Sequence, residues 1–408
     1  MADIEVLNVQ LYEKTIGTLT RLPGDRVLFA FNQDYIGDED RPTLGLSFRD
    51  SFGDLLTEFK TTQTRLMPYF SNLLPEGAMR DYLAKRANVN PAREFFLAWV
   101  LGKDLPGALT IASPIQDGSI PDEDFPGKDE ERAGTRSNAL RFSLAGVQLK
   151  FSAVKEATGG LTIPIDGTGG SWIVKLPSTT FAGVPENEFS MMEMARRVGI
   201  EVPETKLVAV DSIAGLPEGV DGAGKYAFAI RRFDRTSEGG AVHIEDFAQI
   251  FRIYPEDKYD RASYRNIAEV LWVESGEQGA IEFIRRFVFN ALIGNADMHL
   301  KNWSMIYRDR RRATLSPAYD FVATLPYIPN DDLALNFVDS KAFASLTYDQ
   351  FSRFAAKARF PETLTLETVK ETVEAFRKVW PDSGDLPIAA DVRKSIDDNI
   401  ATIPIWKG

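Results

Sequence analysis

An apolar helix that ends directly before a short polar loop is the feature that most constrains the fold of this chain. Apolar side chains recur at helical spacing over residues 281–292, and Gly294 then interrupts the pattern. The loop that follows, residues 295–302, reads N-A-D-M-H-L-K-N. Its two chemically versatile positions, Asp297 and Asn302, are five positions apart. The sequence therefore predicts a buried helix that carries a polar loop of fixed spacing at its end.

The loop is followed by a second acidic position. A hairpin-like stretch, residues 304–315, separates the loop from Asp320 and Phe321. The spacing of Asp297 and Asn302 is that of the kinase catalytic loop, in which the Asp meets the substrate hydroxyl and the Asn holds magnesium. Asp320 lies where a kinase has its second metal-binding Asp, and magnesium prefers such oxygen ligands. Order and spacing together indicate phosphoryl transfer from ATP.

A lysine upstream fits the same chemistry. The run W-I-V-K over residues 172–175 has the pattern of an apolar strand that ends in Lys175. A lysine there is a compact cation that neutralises phosphate charge. A helix is predicted over residues 186–198, and either Glu188 or Glu193 on it is a candidate partner that holds Lys175 in place.

Each of these residues also has a purely structural interpretation. Asp320 has the alternative of capping a helix, and Lys175 that of a surface charge at a strand end. His299 is expected to pack against the loop even if the loop is catalytic. The functional hypothesis rests on the ordered agreement of strand lysine, helix glutamate, apolar helix, D-x-x-x-x-N and Asp-Phe.

The composition excludes several kinds of site. The 408-residue chain contains no cysteine, which excludes disulfides, thiolate zinc sites and cysteine nucleophiles. Its two histidines, His243 and His299, are too few for a multi-histidine metal site. The net charge of −12 argues against a surface that wraps nucleic acid. Because there is no apolar run of about 18 residues and no signal-peptide pattern, we expect a cytoplasmic protein without a membrane span.

Changes of pattern along the chain divide it into four parts. Residues 1–112 combine strands with helices, and residues 113–135 form a linker or mobile loop rich in Pro, Gly and acidic residues. Residues 136–235 are short strands with one helix, which predicts a small lobe that covers the nucleotide, and residues 236–408 are mostly helical. We expect an α+β, protein-kinase-like two-lobe fold with an N-terminal β-rich subdomain and a mostly helical C-terminal lobe. A site is expected in the crevice between the lobes.

Two helix ends can be read from their capping residues. A helix over residues 91–101 is expected to open with Asn90 as its cap and Pro91 in its first turn. The helix over residues 186–198 is expected to end at Gly199.

Two further stretches are candidates for nucleotide contacts. Residues 143–150, S-L-A-G-V-Q-L-K, stand where a phosphate-covering loop would be, although a single glycine makes this signal weak on its own. Arg231 and Phe233 follow the last predicted strand of the small lobe and fall at the inter-lobe hinge. One interpretation stacks Phe233 near the adenine, with backbone groups there reading the edge of the base. In the other, Phe233 is ordinary core and the three arginines around it bind neighbouring carboxylates.

Several motifs in one order make the chain similar to the HipA-type serine/threonine kinases, the toxin half of bacterial toxin–antitoxin pairs. The resemblance spans nearly the whole length. The matching stretches are F-S-N-L-L-P-E-G at 70–77, S-L-A-G-V-Q-L-K at 143–150, E-N-E at 186–188, F-D-R at 233–235, H-I-E-D-F-A-Q at 243–249 and N-A-D-M-H-L-K-N at 295–302.

The resemblance implies a role for individual residues. Asp297 would be the catalytic Asp, Asn302 and Asp320 the Mg²⁺ ligands, and Lys175 the phosphate lysine. Ser143 would be the autophosphorylated serine, whose modification expels the phosphate loop. The other ATP-binding residues implied are Leu144, Ala145, Gly146, Val147, Gln148, Lys150, Arg231, Phe233, His299 and Lys301. Where the family carries an acidic hinge residue this chain has Arg231, which departs from the family's adenine contact.

The resemblance also implies partners. Family members phosphorylate proteins, with aminoacyl-tRNA synthetases among the targets, and bind a HipB-like helix-turn-helix antitoxin that sits on operator DNA. Two alternatives remain. One is a small-molecule phosphotransferase of the aminoglycoside-kinase type, although there the His lies two positions before the Asp, where this chain has Asn295. The other is an inactive pseudokinase that acts as a repressor partner.

Overall fold

The structure is a computed structural model that describes residues 5–114, 150–155, 161–162, 169–178, 180–216 and 224–408. Within these residues the strands form three antiparallel sheets. Each sheet is associated with its own group of helices, and the three groups meet around one cavity.

The first sheet comes from the N-terminal part of the chain and has the strand order β4-β3-β2-β1-β5. Its strands are β1 (Val6–Leu11), β2 (Lys14–Leu22), β3 (Arg26–Phe31), β4 (Thr62–Gln63) and β5 (Leu109–Ala112). Burial alternates along β1 and β3, as expected for strands with one face on a core. The helices of this part are α1 (Gln33–Gly37), α2 (Pro68–Ser71), α3 (Gly77–Arg86) and α4 (Glu94–Leu101). We call this part the N-terminal unit.

The predicted start of the fourth helix is wrong. Helix α4 begins at Glu94, whereas the capping pattern predicts a start at Pro91. The Asn90 side chain accepts a hydrogen bond from the backbone of Ala92 at 2.9 Å, which closes a local turn instead of capping a helix. The buried Glu94 carboxylate then accepts bonds from Leu66 N at 2.8 Å and Ser71 Oγ at 2.9 Å. These contacts fix the true start of the helix.

The second sheet has the strand order β7-β6-β8-β10-β9. Its strands are β6 (Lys150–Lys155), β7 (Leu161–Thr162), β8 (Trp172–Lys175), β9 (Thr205–Ala209) and β10 (Tyr226–Arg231). Helix α5 (Val184–Arg197) packs on β9 and β10 through buried Met191, Met192 and Met194. The predicted ending of this helix is confirmed, because Gly199 follows it with a φ of 91°.

The third sheet and the remaining helices form the C-terminal part. Strands β11 (His243–Asp246), β12 (Ser304–Tyr307) and β13 (Thr314–Leu315) are followed or flanked by helices. The helices are α6 (Phe247–Ile250), α7 (Tyr264–Ile293), α8 (Tyr348–Ala358), α9 (Glu362–Val379), α10 (Ala390–Thr402) and α11 (Pro404–Lys407). The apolar stripe predicted for the central helix lies on α7, and Ile284, Val288 and Leu292 there are fully buried.

Helix α7 has two glycines with different roles. Gly276, at φ 57° and ψ −141°, interrupts the helix in its middle. Gly294 ends it with φ 69°, a left-handed conformation that favours glycine. Because the second half of α7 is buried and stops sharply, the loop that follows starts from a fixed point. Among the described residues, no helix is long and apolar enough to span a membrane.

Candidate active site

A cavity of about 1000 Å³ lies where the N-terminal unit, the second sheet and the C-terminal part meet. It brings together the predicted site residues whose side chains the structure describes. These are Lys175, Arg231, Phe233, Asp297, His299, Lys301, Asn302 and Asp320. Ser143, Leu144, Ala145, Gly146, Val147 and Gln148 lie outside the described residues, and Lys150 is described only as backbone of β6. Residues from separate parts of the chain thus converge on one space, while their roles stay predictions.

Lys175 forms ion pairs with two carboxylates at the wall of this cavity. Its Nζ contacts Glu188 Oε1 on helix α5 and Asp320 Oδ1 after the third sheet. Burial alone would lower the pKa of Lys175, but Asp320 and Glu188 outweigh it and raise that pKa above its usual value. The lysine is therefore charged, buried and oriented. The alternative of a surface charge at a strand end is wrong, because only 5% of Lys175 is exposed.

The structure also decides between the two candidate glutamates. Glu188 is buried and pairs with Lys175. Glu193 instead accepts a hydrogen bond from Thr205 Oγ1 at 2.6 Å and lies 3.4 Å from Arg196. Lys175 at the end of strand β8 and Glu188 in the first half of helix α5 thus form an ion pair. Kinase small lobes have such a lysine–glutamate pair.

Asp320 is presented by a strained turn, and Phe321 anchors that turn. Asp320 has a φ of 58°, and the next described helix, the short 3-10 helix Phe343–Ser345, begins 23 positions later, so the helix-cap alternative is wrong. Phe321 is buried and stacks on Phe289 of helix α7, with ring centroids 5.5 Å apart. Because the ring fixes the backbone, the Asp320 carboxylate is held toward the cavity.

Hydrogen bonds within the loop after α7 set the positions of Asp297 and Asn302. Asn295 is buried; its Nδ2 donates to Asn290 Oδ1 at 2.8 Å, and its Oδ1 accepts from Asp297 N at 3.0 Å. Asn302 Nδ2 donates to the backbone oxygen of Asp297 at 2.8 Å. An amide anchored through its nitrogen leaves its oxygen for a ligand. The exposed Asp297 side chain faces the cavity from the same loop.

Tyr259 is a site residue that the sequence reasoning missed. Its hydroxyl donates to Asp297 Oδ1 at 2.5 Å, and its ring lies edge-on to His299 with centroids 5.0 Å apart. Burial raises the pKa of Tyr259, and the neighbouring Asp297 carboxylate raises it further. The tyrosine therefore stays a donor near neutral pH. It lies 38 positions before Asp297, outside every local motif that the sequence reasoning used.

His299 is buried at the wall of the cavity. Burial lowers the pKa of His299 to about 4, although the nearby Asp297 acts in the opposite direction. The ring is therefore neutral near pH 7. Its Nδ1 is buried and lacks a hydrogen-bond partner among the residues that the structure describes.

Lys301 is paired with the N-terminal unit. Its Nζ lies 2.8 Å from Glu76 Oε1 and donates to the backbone oxygen of Asn72 at 2.9 Å. Lys258 reaches the other oxygen of the same carboxylate, Glu76 Oε2, at 2.9 Å. Glu76 belongs to the 70–77 motif, so that motif directly adjoins the loop of Asp297.

The hinge carries one cluster of ion pairs. Arg232, not Arg231, is buried there, with its guanidinium 2.9 Å from Asp104 and 2.8 Å from Asp234. Arg235 contacts the same two carboxylates. Arg231 lines the cavity. The interpretation that these arginines bind carboxylates therefore holds for Arg232 and Arg235. Phe233 also lines the cavity and lies 5.6 Å from the ring of Tyr319, which differs from an ordinary core position.

The donors in the cavity fit magnesium only together with phosphates. No cluster of three or more His, Asp or Glu that could hold a metal occurs in the part of the chain that the structure describes. Asn302 and Asp320 offer one amide oxygen and one carboxylate. Magnesium often takes one or two such ligands and completes its shell with substrate phosphates and water.

Comparisons with known proteins agree with this architecture. The family model of the HipA N-terminal domain matches residues 7–112, and that of the HipA-like C-terminal domain matches residues 142–380. Y4dM of Sinorhizobium fredii, provisionally named a kinase, is 53% identical over 411 residues, covering 100% of this chain and 99% of that protein. The serine/threonine-protein kinase toxin HipA of Shewanella oneidensis is 26% identical over 305 residues, which cover 65% of each chain.

A solved structure shares the fold across nearly the whole chain. It is the complex of Shewanella oneidensis HipA and HipB with operator DNA. The match has a TM-score of 0.73 at 20% identity and covers 98% of this chain and 96% of that chain. The family match confirms the resemblance seen in the motifs, and the structural match confirms the expected fold class. The chain belongs to the HipA family and has its α+β, protein-kinase-like fold.

Proposed function

We propose that this chain is an ATP-dependent serine/threonine protein kinase. The observation that carries the proposal is the pairing of Lys175 with both Glu188 and Asp320 in the cavity that also holds Asp297 and Asn302. A kinase needs this lysine–glutamate pair and this metal-binding Asp in place at the same time. The provisional or established kinase names of the relatives support the same activity.

The proposed reaction uses each group once. Asp297 orients the substrate hydroxyl and accepts its proton as the oxygen attacks the γ-phosphorus of ATP. The bond between that phosphorus and the bridging oxygen breaks, and ADP leaves. Lys175 neutralises phosphate charge. Asn302 and Asp320 would hold Mg²⁺, which supplies charge neutralisation between the phosphates.

The proposed division of labour follows the four predicted parts. Residues 136–235 cover the nucleotide, with the 143–150 stretch over its phosphates, and residues 236–408 carry the loop of Asp297. Residues 113–135 connect the small lobe to residues 1–112, which wall the cavity. Arg231, Phe233, His299 and Lys301 are proposed nucleotide neighbours because they line the cavity.

We also propose that the kinase is the toxin of a toxin–antitoxin pair. Support comes from the Shewanella oneidensis relative, which is named a toxin, and from the complex of that organism's HipA with HipB and operator DNA. The proposed partner is a HipB-like helix-turn-helix antitoxin, which would link the kinase to operator DNA. The proposed protein substrate is an aminoacyl-tRNA synthetase, and Ser143 is the proposed site of autophosphorylation.

A short pulse of expression in a bacterial host tests this function. Wild type should slow growth and add phosphate to serine or threonine of a small set of proteins, as detected by phosphoproteomics. The Asp320→Ala variant should do neither. A wild type that adds no new phosphosites, or a variant as toxic as wild type, would contradict the proposal.

A further inference from the structure

Glu76 directs its carboxylate away from its own helix. It is the N-cap residue of helix α3, a position where the side chains of Ser, Thr, Asp and Asn often bond the first backbone N–H groups of the helix. Here no side-chain capping bond forms. The carboxylate instead reaches across to the C-terminal part, with one oxygen 2.8 Å from Lys301 and the other 2.9 Å from Lys258. Its position is thus determined by the two lysines and not by the helix.

Each of the two lysines is next in sequence to a residue that donates a hydrogen bond to Asp297. Lys301 directly precedes Asn302, whose amide donates to the backbone of Asp297. Lys258 directly precedes Tyr259, whose hydroxyl donates to the Asp297 carboxylate. A single carboxylate from the N-terminal unit therefore connects both segments that fix Asp297.

The segment that carries Glu76 is docked on the C-terminal part by further bonds. Asn72 Nδ2 donates to the backbone oxygen of Ile253 at 2.7 Å, and the backbone oxygen of Asn72 accepts from Lys301 at 2.9 Å. These bonds hold the start of the segment, and Leu73, Leu74 and Pro75 line the cavity between Asn72 and Glu76. Glu76 is thus presented by a braced piece of backbone.

The charges favour a permanent contact. Burial alone would raise the pKa of Glu76, but Lys301 and Lys258 outweigh it and lower that pKa to about 2. Glu76 is therefore ionised across the physiological range. Two ammonium groups that face the cavity are held against one carboxylate, and this restricts both long side chains, which otherwise have many rotamers.

We infer that Glu76 is a positioning residue for phosphoryl transfer, which acts by holding the side chain of Lys301, in the same loop as Asp297, with Lys258 as its second partner. The inference rests on the proposed kinase function and adds the N-terminal unit to the catalytic machinery. Lys301, so held, lines the same cavity as Asp297. Small displacements of such groups reduce rates strongly while leaving nucleotide binding intact.

A double-mutant cycle on the full chain separates this role from a structural one. The variants are Glu76→Gln, Lys301→Met and the pair, and the readouts are ADP release at saturating MgATP and binding of a fluorescent ATP analogue. Glu256→Gln is the matched control. It makes the same chemical change in another ion pair between the N-terminal unit and the C-terminal part, Arg65 with Glu256, which does not line the cavity.

We expect Glu76→Gln to slow ADP release about tenfold or more, with analogue affinity within about twofold of wild type. In the Lys301→Met background the same change should add little, because the contact is already gone. The control should match wild type in both readouts. A wild type that releases no ADP would overturn the proposed function together with this inference.

Two results with an active wild type would overturn the inference alone. One is a Glu76→Gln variant as fast as Glu256→Gln. The other is a loss that is equally large in the presence and absence of Lys301, since that additivity means that Glu76 acts on stability or docking and not through the lysine. Melting temperatures of all five proteins show whether any loss of rate follows a loss of folded protein.

Discussion

The hydroxyl of Tyr259 donates a hydrogen bond to Oδ1 of Asp297 over 2.5 Å. Hydrogen bonds to a carboxylate are about twice as strong as neutral ones. The ring of Tyr259 is also braced against His299, so the donor has little freedom. The proposed catalytic carboxylate is therefore aimed before any substrate arrives, by a residue outside its own loop.

Removing that hydroxyl should slow the reaction without affecting the nucleotide. We expect Tyr259→Phe to reduce phosphoryl transfer about tenfold or more, because a hydrogen bond to a charged group contributes about 1.5–3 kcal/mol. Binding of ATP should stay at the wild-type level, since Tyr259 acts on Asp297. Steady-state ADP release measures the first effect and analogue binding the second. An unchanged or faster rate would show that the tyrosine does not position Asp297.

The ion pair of Lys175 with Glu188 should make two glutamates of helix α5 differ in their effect on turnover. We expect Glu188→Gln to weaken ATP turnover at least tenfold and to lower the melting temperature, because breaking a buried ion pair costs about 3–5 kcal/mol. Glu193→Gln, five positions along α5, serves as the matched control and should retain turnover. Turnover and thermal melting of both variants provide the measurement. Equal turnover in the two variants would contradict the proposal that Glu188 holds Lys175 in place for the reaction.

Asp320 should set the magnesium requirement. We expect Asp320→Ala to raise the Mg²⁺ concentration needed for any activity and to abolish turnover at ordinary Mg²⁺, because the proposed metal site would lose the carboxylate of Asp320. A Mg²⁺ titration of ADP release is the measurement. Wild-type dependence on Mg²⁺ in the variant would place the metal elsewhere.

A buried acid between the N-terminal unit and the third sheet should make stability depend on pH. Glu245 accepts hydrogen bonds from Leu46 N at 2.8 Å and from the Tyr307 hydroxyl, while its Oε2 has no hydrogen-bond partner within the described parts of the chain. Burial raises its pKa from 4.5 to about 8. The folded state therefore holds a proton that the unfolded chain has lost, and this residue's contribution to stability falls as the pH rises from 4.5 to 8.

Glu245→Gln mimics the protonated acid at every pH. Because one pKa unit corresponds to about 1.4 kcal/mol, the variant should gain on the order of 4 kcal/mol relative to wild type between pH 4.5 and pH 8. Melting temperatures of both proteins at pH 5 and pH 8 test this. A difference between the two proteins that is the same at both pH values would contradict the ionisation of Glu245.

The sequence could identify those site residues whose order and spacing along the chain predict that they lie close together. Asp297, Asn302 and Asp320 lie in one local stretch, and Lys175 precedes the helix of Glu188, so spacing alone predicts them. Tyr259 and Glu76 could not be found in this way. Glu76 and Lys258 are 182 positions apart along the chain, and only the packing of the N-terminal unit on the C-terminal part brings them together.

A local turn that competes with helix capping explains why the predicted start of helix α4 is wrong. Asn90 and Pro91 have the sequence of a helix start, but the Asn90 side chain closes a turn with Ala92 instead. The buried ion pair between Glu94 and Arg80, at 2.6 Å, depends on residues outside the helix. A pattern of capping residues does not contain this tertiary information.

Above all, we propose that Asp297 catalyses phosphoryl transfer from ATP. The most direct measurement is transfer of labelled γ-phosphate from ATP, with Mg²⁺, to protein hydroxyls in the purified chain, comparing wild type with Asp297→Asn. The variant keeps the shape of the side chain but removes the charge that orients the hydroxyl, a contribution worth about 10²–10⁴-fold. We expect wild type to be labelled, and the variant to bind ATP normally but to be labelled at least a hundredfold more slowly. Equal labelling of the two proteins, or none in either, would contradict the proposal.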